Sequence, residues 1–283
     1  DPILSQFYLN KLYMNPAYTG INRDLGVNLS SRRQWTNIPG AGKFRTHVLA
    51  ADFGCPEYKM GFGLIVLDDL EGEGLLKTTE ISPMVSSHIR LSRTSILSFG
   101  GKLSLGYKAV DYDNLIFSDQ LDPIDGAIFA SAFQPGNDRI NNIFGLSAGA
   151  LFRQRFGGGS FWSVGFSGNN LYASQSSFLE LNYRVPIRYT VHSYQHFRIT
   201  RKNTDKIPNF ISSGMIYERQ AQLNTLTMGA SITVGHNFLA GIWYRNRNFL
   251  PQKVTNDAII FSMVSFYNDL AIGYSYDLTV SDL

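Results

Sequence analysis

The stretch Ile-Leu-Ser-Phe-Gly-Gly-Lys-Leu-Ser-Leu-Gly-Tyr, residues 96–107, decides the fold, because its side chains alternate between two chemical types. One face collects large apolar residues, namely Leu97, Phe99, Leu103, Leu105 and Tyr107. The other face collects small or polar residues, namely Ser98, Gly100, Lys102, Ser104 and Gly106. Successive side chains of a strand point to opposite sides of the sheet, so this alternation predicts a strand with one apolar and one polar face.

The same alternation recurs along most of the chain. It is equally regular over residues 144–153, 224–234 and 270–278. Nine further segments resemble strands with weaker alternation: 25–35, 44–54, 60–68, 75–92, 160–168, 187–200, 208–219, 238–246 and 257–267. The sequence therefore predicts an all-β fold with about thirteen strands and no long amphipathic helix.

The composition suits a sheet that faces lipid on one side. Charged residues make up 17% of the chain, below the roughly 25% of an average soluble protein. Phe, Tyr and Gly are abundant, at 20, 15 and 26 residues. No apolar run reaches the roughly 20 residues of a membrane-spanning helix, since Asp68 and Asp69 already end the run at 62–67. A chain that crosses a membrane without helices must form a closed barrel, in which every backbone group is paired.

Connection lengths favour such a barrel over a soluble β-sandwich, which would share the alternation. Bacterial membrane barrels have short turns at one rim and longer loops at the other. The predicted short connections are 55–59, 92–95, 157–159, 201–206, 235–237 and 267–269. The connections between them are mostly longer, at 36–43, 68–74, 109–139, 169–186 and 247–256, although 220–222 is short. We therefore predict a transmembrane antiparallel up-and-down β-barrel.

Two expectations concern the ends of the chain. Single-chain bacterial barrels have even strand numbers, so we expect about fourteen strands, with the last one missing from the sequence as given. The opening Asp1-Pro2-Ile3-Leu4 has neither a basic region nor a long apolar stretch, so an exported protein would be in its mature form.

The first 24 residues do not alternate, and we predict an N-terminal arm at 1–24 ahead of a barrel at 25–283. The arm is rich in aromatic side chains, namely Phe7, Tyr8, Tyr13 and Tyr18. One interpretation is a mobile N-terminus. The other is a plug in the barrel lumen, because aromatic side chains at this density are costly to leave in water. Composition leaves both interpretations open.

Few residues indicate chemistry. No convincing nucleophile site accompanies the five histidines, so we predict no catalytic site. We also predict no cofactor and no metal, although two acidic groups could supply calcium ligands: Asp68, Asp69, Glu71 and Glu73, and Asp119, Asp122 and Asp125. Their spacing does not match a helical calcium-binding loop, so solvated outer loops are the simpler interpretation. Gly157-Gly158-Gly159 predicts a tight turn, since no phosphate-binding Lys follows it.

The cysteine count and the charge distribution argue against a disulfide-stabilised protein and a nucleic-acid-binding protein. Cys55 is the single cysteine, so an internal disulfide is impossible. The net charge is +3 and basic residues are dispersed along the chain, which argues against nucleic-acid binding.

Arginines mark the ends of several predicted strands. They are Arg32, Arg33 and Arg45, near Lys43 in the first hairpin, and Arg184, Arg188, Arg198, Arg245 and Arg247 further on. A charge on the lipid face costs ~2–4 kcal/mol at the midplane, so these side chains should face the interior or lie at the membrane interfaces. Two roles stay open: neutralising carboxylates in a polar lumen, or receiving an acidic segment of a partner.

The N-terminus also carries a family resemblance. Asp1-Pro2, Ser5-Gln6-Phe7-Tyr8, Asn15-Pro16-Ala17-Tyr18-Thr19-Gly20 and Arg33-Gln34-Trp35 together resemble the PorP/SprF family, outer-membrane proteins of the type IX secretion system of Bacteroidetes-type bacteria. Further matches are Met60-Gly61-Phe62-Gly63, Leu103-Ser104-Leu105-Gly106, Asp119-Gln120 with Pro123 and Gly126, and Gly273-Tyr274-Ser275-Tyr276-Asp277. The resemblance covers nearly the whole chain. The family continues to a last strand beyond these residues, which agrees with the odd strand count.

This resemblance implies a non-enzymatic, multi-pass outer-membrane protein of a Gram-negative bacterium. It implies docking or anchoring of a secreted protein at the cell surface, in particular the C-terminal domain of an adhesin that serves gliding motility. Other type IX secretion components are further implied partners. The alternative is a passive channel or small-solute transporter, which requires an open lumen, and a barrel hydrolase is a third possibility.

We predict that the partner contacts the outer loops 109–139 and 169–186 together with a polar lumen. The residues predicted to bind it are Arg32, Arg33, Trp35, Asp119, Gln120, Asp122, Arg184, Arg188 and Arg245.

Overall fold

Thirteen strands form one antiparallel sheet in which each strand pairs with the next along the chain. The computed structural model describes residues 2–35, 44–72, 76–110, 118–122, 126–127, 140–173, 184–199, 208–235, 237–247 and 255–280. The strands of the sheet are β1 (Gly26–Gln34), β2 (Phe44–Cys55), β3 (Met60–Glu71), β4 (Leu76–Arg90), β5 (Ser95–Val110), β8 (Ile140–Gly157), β9 (Ser160–Ala173), β10 (Arg188–Arg198), β11 (Phe210–Gln220), β12 (Leu223–Val234), β13 (Phe238–Arg247), β14 (Thr255–Tyr267) and β15 (Leu270–Thr279). A separate small hairpin pairs β6 (Leu121–Asp122) with β7 (Gly126–Ala127).

Helical structure in the described residues is short. It consists of α1 (Lys11–Met14) and of 3-10 turns at Pro16–Tyr18 and Ser118–Gln120. Across these described ranges, no helix has the length and apolar character needed to traverse a membrane. The predicted all-β fold is confirmed, and the four most regular segments of the sequence correspond to β5, β8, β12 and β15.

β3 is longer than we predicted. We expected a loop from Asp68 onward, but the strand continues to Glu71, and Asp68 and Asp69 both pair with β2 and β4. Each carboxylate has a partner there, since the Thr46 hydroxyl donates to Asp69 at 2.6 Å and the Lys77 ammonium lies 3.6 Å from Asp68. Because both carboxylates have partners, these two acidic residues do not interrupt the hydrogen bonding between β3 and its neighbouring strands.

The up-and-down order places alternate connections at opposite rims of the sheet. We name one the short-turn rim; its connections are 56–59, 91–94, 158–159, 199–209, 235–237 and 268–269. The other is the long-connection rim, with connections 35–43, 72–75, 111–139, 174–187, 221–222 and 248–254. Gly157, Gly158 and Gly159 have φ angles of 79°, 62° and 88°, so the predicted tight turn is confirmed.

The two faces of the sheet are the reverse of those in a water-soluble β-protein. In β5, Ser98 and Ser104 are 0% and 2% exposed, whereas Phe99 and Leu105 are 47% and 43% exposed. β4 and β12 show the same division, with serines and threonines buried and large apolar residues exposed. Burial of apolar surface drives folding in water. A sheet that instead exposes its apolar side chains is suited to hydrocarbon on its outer face.

The sheet curls but does not close. β1 and β15 are its two edges and do not pair with each other. They nevertheless lie close together, since Nη2 of Arg32 on β1 is 3.3 Å from Oδ2 of Asp277 on β15. The inner face therefore encloses an interior. A closing strand, which would bring the count to about fourteen, stays a prediction.

Candidate functional site

The interior of the sheet is occupied by the N-terminal segment of the same chain. We call residues 2–20 the plug. Its apolar side chains make up much of the buried core, namely Leu4, Phe7, Tyr8, Leu12, Met14, Ala17 and Tyr18. Phe7 and Tyr8 pack on Trp243 of β13, with ring centroids 5.2 and 4.9 Å from the indole. Of the two interpretations of the arm, this packing matches the plug, while a domain boundary at residue 24 stays a prediction.

Asn15 fastens the plug to three consecutive strands. Its side chain is 0% exposed. Its amide nitrogen donates to the carbonyls of Ala150 on β8 and Phe166 on β9, at 3.1 and 3.2 Å. The same nitrogen lies 3.0 Å from Nε2 of His192 on β10, and the amide oxygen accepts from the Ala17 N–H at 2.9 Å. One side chain thus joins the plug to strands far along the sequence.

The end of the plug is held near the short-turn rim. The Gly20 N–H donates to Oδ2 of Asp52 at 2.7 Å, and the Ser86 hydroxyl donates to the Thr19 carbonyl at 2.5 Å. Gly20 has a φ of 63°, a conformation that favours glycine. The chain therefore turns sharply at Gly20 before it enters β1.

Strand glycines make room for the plug backbone. A Cβ at Gly100 would lie 2.3 Å from the carbonyl carbon and oxygen of Pro16. A Cβ at Gly149 would lie 2.0 Å from the amide oxygen of Asn15. Both glycines occur in polar faces of strongly alternating strands. Contacts this close show that the inner surface of the sheet and the plug are fitted to each other.

We expect Asn15→Ala to lower the free energy of unfolding by about 2 kcal/mol, because it removes several buried hydrogen bonds at once. The measurement is chemical unfolding of the purified protein in detergent. Asn22→Ala is the matched control, since Asn22 is exposed and adjoins the plug. Equal stability of the two variants would contradict the role assigned to Asn15.

A cluster of charges joins the plug to both edges of the sheet near the long-connection rim. Asp277 Oδ2 lies 3.3 Å from Arg32 and 3.0 Å from Arg245, and it accepts from the Ser5 hydroxyl at 2.7 Å. Arg245 is 5% exposed and also pairs with Asp257. Two of the predicted site residues, Arg32 and Arg245, therefore meet through one carboxylate. Arg32 additionally donates to the carbonyl of Ile3.

Arg188 lies apart from this cluster, beside a cavity at the same rim. Its guanidinium donates to the Tyr13 hydroxyl at 3.2 Å and covers the Tyr13 ring at 4.9 Å. The cavity has a volume of about 330 Å³. Its lining combines charged side chains with apolar ones and includes Ile3, Lys108, Val185, Pro186, Arg188, Glu218 and Leu223. This part of the interior could hold an acidic group together with an apolar side chain.

The remaining predicted residues lie elsewhere. Arg33 is exposed on the outer face, opposite in direction to Arg32. Trp35 is 42% exposed at the end of β1, with its ring 4.6 Å from that of Phe44. Arg184 is exposed just before β10.

Three predicted residues belong to the long connection after β5. Asp119 is exposed and Gln120 half-buried in the 3-10 turn, and Asp122 pairs its backbone with Gly126. Most of the loops 109–139 and 169–186, with Asp125 and the Asp122 side chain, lies outside the described residues, as does Glu73. Their predicted contacts with a partner stay predictions.

Sequence reasoning did not single out Asn15, His192 or the glycines of the inner face. Two of these features could have been noticed in the sequence. Asn15 precedes Pro16 within the aromatic arm, and the glycines fall on the polar faces of strands. Nothing local in the sequence connects Asn15 with His192, because they are 177 residues apart.

Over the part of the chain that the structure describes, no group of three or more His, Cys, Asp or Glu side chains could hold a metal ion. The fold and its interior define a class: an up-and-down β-sheet protein with an apolar outer face, filled by its own N-terminal segment. The chain belongs to the PorP/SprF family, described as type IX secretion system membrane proteins, which matches residues 1–283. A search of the curated proteins found no match.

Proposed function

We propose that this protein lies in the outer membrane of a Gram-negative bacterium and docks a secreted protein of the type IX pathway at the cell surface. The partner would be the C-terminal domain of an adhesin that serves gliding motility. The role is binding rather than catalysis. The observation that carries the proposal is the occupied interior, because a chain that fills its own lumen cannot conduct solutes without moving the plug.

The family supports the secretion part of this proposal, since it consists of type IX secretion system membrane proteins. The plug argues against the alternative of a passive channel. Buried contacts such as those of Asn15 and the close approach at Gly100 hold the plug against the sheet. An interior filled in this way leaves the rims as the surfaces available to a protein partner.

The long-connection rim is the better candidate for the docking surface. It combines the charged cluster of Arg32, Arg245 and Asp277 with the cavity beside Arg188. Complementary charges steer association and fix the orientation of a partner. An acidic segment ending in an apolar side chain would match the lining of this cavity.

The test is binding of a purified adhesin C-terminal domain to the tagged protein in mild detergent. Lys108→Gln, in the cavity lining, should weaken binding by about fivefold, which is the contribution of one partly exposed charge. Arg90→Gln is the control, because Arg90 is exposed at the end of β4 on the opposite rim. Absence of binding to the intact protein, or steady large conductance of that protein in planar bilayers, would contradict the proposal.

A further inference from the structure

On the outer face of the first four strands, the row of residues nearest the long-connection rim contains three basic side chains and one leucine. Cross-strand pairing aligns Arg33 of β1 with Arg45 of β2, then with Leu70 of β3 and Lys77 of β4. Four residues further along the strands, the aligned row is apolar: Leu29, Leu49, Val66 and Ile81. At ~3.3 Å per residue the two rows are about 13 Å apart along the strands. The row between them is polar, namely Ser31, His47, Asp68 and Thr79. The basic residues therefore lie in the polar margin beyond the apolar belt.

Arg33 and Arg45 oppose each other directly, and both are exposed. Side chains in such a pair have Cβ atoms about 5 Å apart, and like charges in this position destabilise a sheet. Lys77, in the same row, already has a carboxylate partner, since its ammonium lies 3.6 Å from Asp68. Within the described part of the chain, neither Arg33 nor Arg45 forms an ion pair with a carboxylate. An anion held between the two guanidinium groups would remove this repulsion.

The position of the pair indicates the kind of anion. Trp35 lies two residues after Arg33 and Phe44 directly precedes Arg45, and their two rings pack edge to face. Aromatic side chains concentrate where membrane meets water, at the level of the lipid headgroups. Guanidinium groups bind phosphate through paired hydrogen bonds, which makes arginine the preferred residue for this contact. Two such groups facing lipid at this level are placed to hold one phosphate.

We infer that Arg33 and Arg45 together bind the phosphate of an anionic membrane lipid at the long-connection rim. The acyl chains of this lipid would lie along the apolar row that includes Leu29 and Leu49. The site is on the outer face, separate from the interior and independent of any docked partner. Binding removes the repulsion between the two arginines and fixes this rim at the membrane surface.

The test uses phosphatidic acid as the probe, added to the full chain in a neutral detergent. Native mass spectrometry counts bound lipid, and the thermal midpoint reports stabilisation by binding. Phosphatidylcholine with the same acyl chains is the neutral comparison, and inorganic phosphate is the free anion. We expect the intact protein to retain phosphatidic acid, with affinity falling about fivefold for either Arg33→Gln or Arg45→Gln and further in the double variant.

Arg219→Gln is the matched control. Arg219 is also an exposed arginine near the end of a strand at the same rim, but Tyr189 and Asn224 are its cross-strand partners. The Arg219→Gln variant should bind phosphatidic acid as tightly as the intact protein does. In detergent without lipid, the double variant should be at least as stable as the intact protein, because it lacks the repulsion; this also shows that it folds.

Three results would overturn the inference. The double variant could bind phosphatidic acid as tightly as the intact protein does. Phosphatidylcholine could bind equally well, which would leave no role for the net negative charge of the lipid. Inorganic phosphate alone could raise the thermal midpoint as much as phosphatidic acid, which would make the site one for a free anion and not for lipid.

Discussion

Replacing Gly100 with alanine is expected to lower the free energy of unfolding by about 3 kcal/mol, the upper end of the usual cost of overpacking. The added Cβ would lie 2.3 Å from backbone atoms of Pro16 and 2.5 Å from the backbone nitrogen of Ala17. Backbone atoms cannot rotate away as a flexible side chain can, so either the plug or β5 has to move. Chemical unfolding in detergent measures the loss.

Gly101 provides a control within the same strand. Nothing lies within 4 Å of a Cβ built there, so Gly101→Ala should change stability by no more than about 0.5 kcal/mol. The two variants differ by one position and by the face of the sheet. Similar losses for both would show that the plug does not contact β5 as described.

The Gly100→Ala variant also tests whether the plug blocks the interior. If the alanine displaces the plug, the segment before β1 should become sensitive to protease and the protein should conduct ions in planar bilayers. Gly101→Ala should show neither change. The Gly100 variant could instead resist protease and conduct no ions while still losing much stability. This result would mean that β5, and not the plug, has moved.

Replacing Asp277 with asparagine is expected to cost about 3 kcal/mol, since it removes the carboxylate shared by two arginines. Arg245 is 5% exposed and would keep Asp257, whereas Arg32 would lose its ion pair. The Ser5 hydroxyl, 2.7 Å from the same oxygen, ties the start of the plug to this carboxylate. The change should therefore loosen both the plug and the approach of β1 to β15.

Asp68→Asn is the comparison for this second variant. Asp68 and Lys77 form a pair on the outer face with side chains 33% and 47% exposed, and such pairs contribute about 0–1 kcal/mol. Chemical unfolding of both variants under the same conditions gives the difference. A loss for Asp277→Asn no larger than that for Asp68→Asn would show that the cluster is not structural.

The predicted partner-binding residues show which contacts a local sequence pattern cannot predict. Adjacent residues of a strand point to opposite faces, so Arg32 and Arg33 separate. Arg32 pairs with Asp277 in the interior, whereas Arg33 lies on the outer face opposite Arg45. We predicted one site for both residues because both lie near the first hairpin in the sequence. The association of Arg32 with Asp277 spans 245 residues, and no local pattern could have predicted it.

The sequence by itself determined the strands and the chemical character of their faces. Alternation such as that of residues 96–107 is a local property, because each side chain's direction depends only on the backbone of its own strand. Tertiary structure alone decided that the N-terminal arm fills the interior, that Asn15 meets His192, and that Arg32 and Arg245 share Asp277. These contacts depend on how far the sheet curls, which is a sum of small twists over thirteen strands that no single segment encodes.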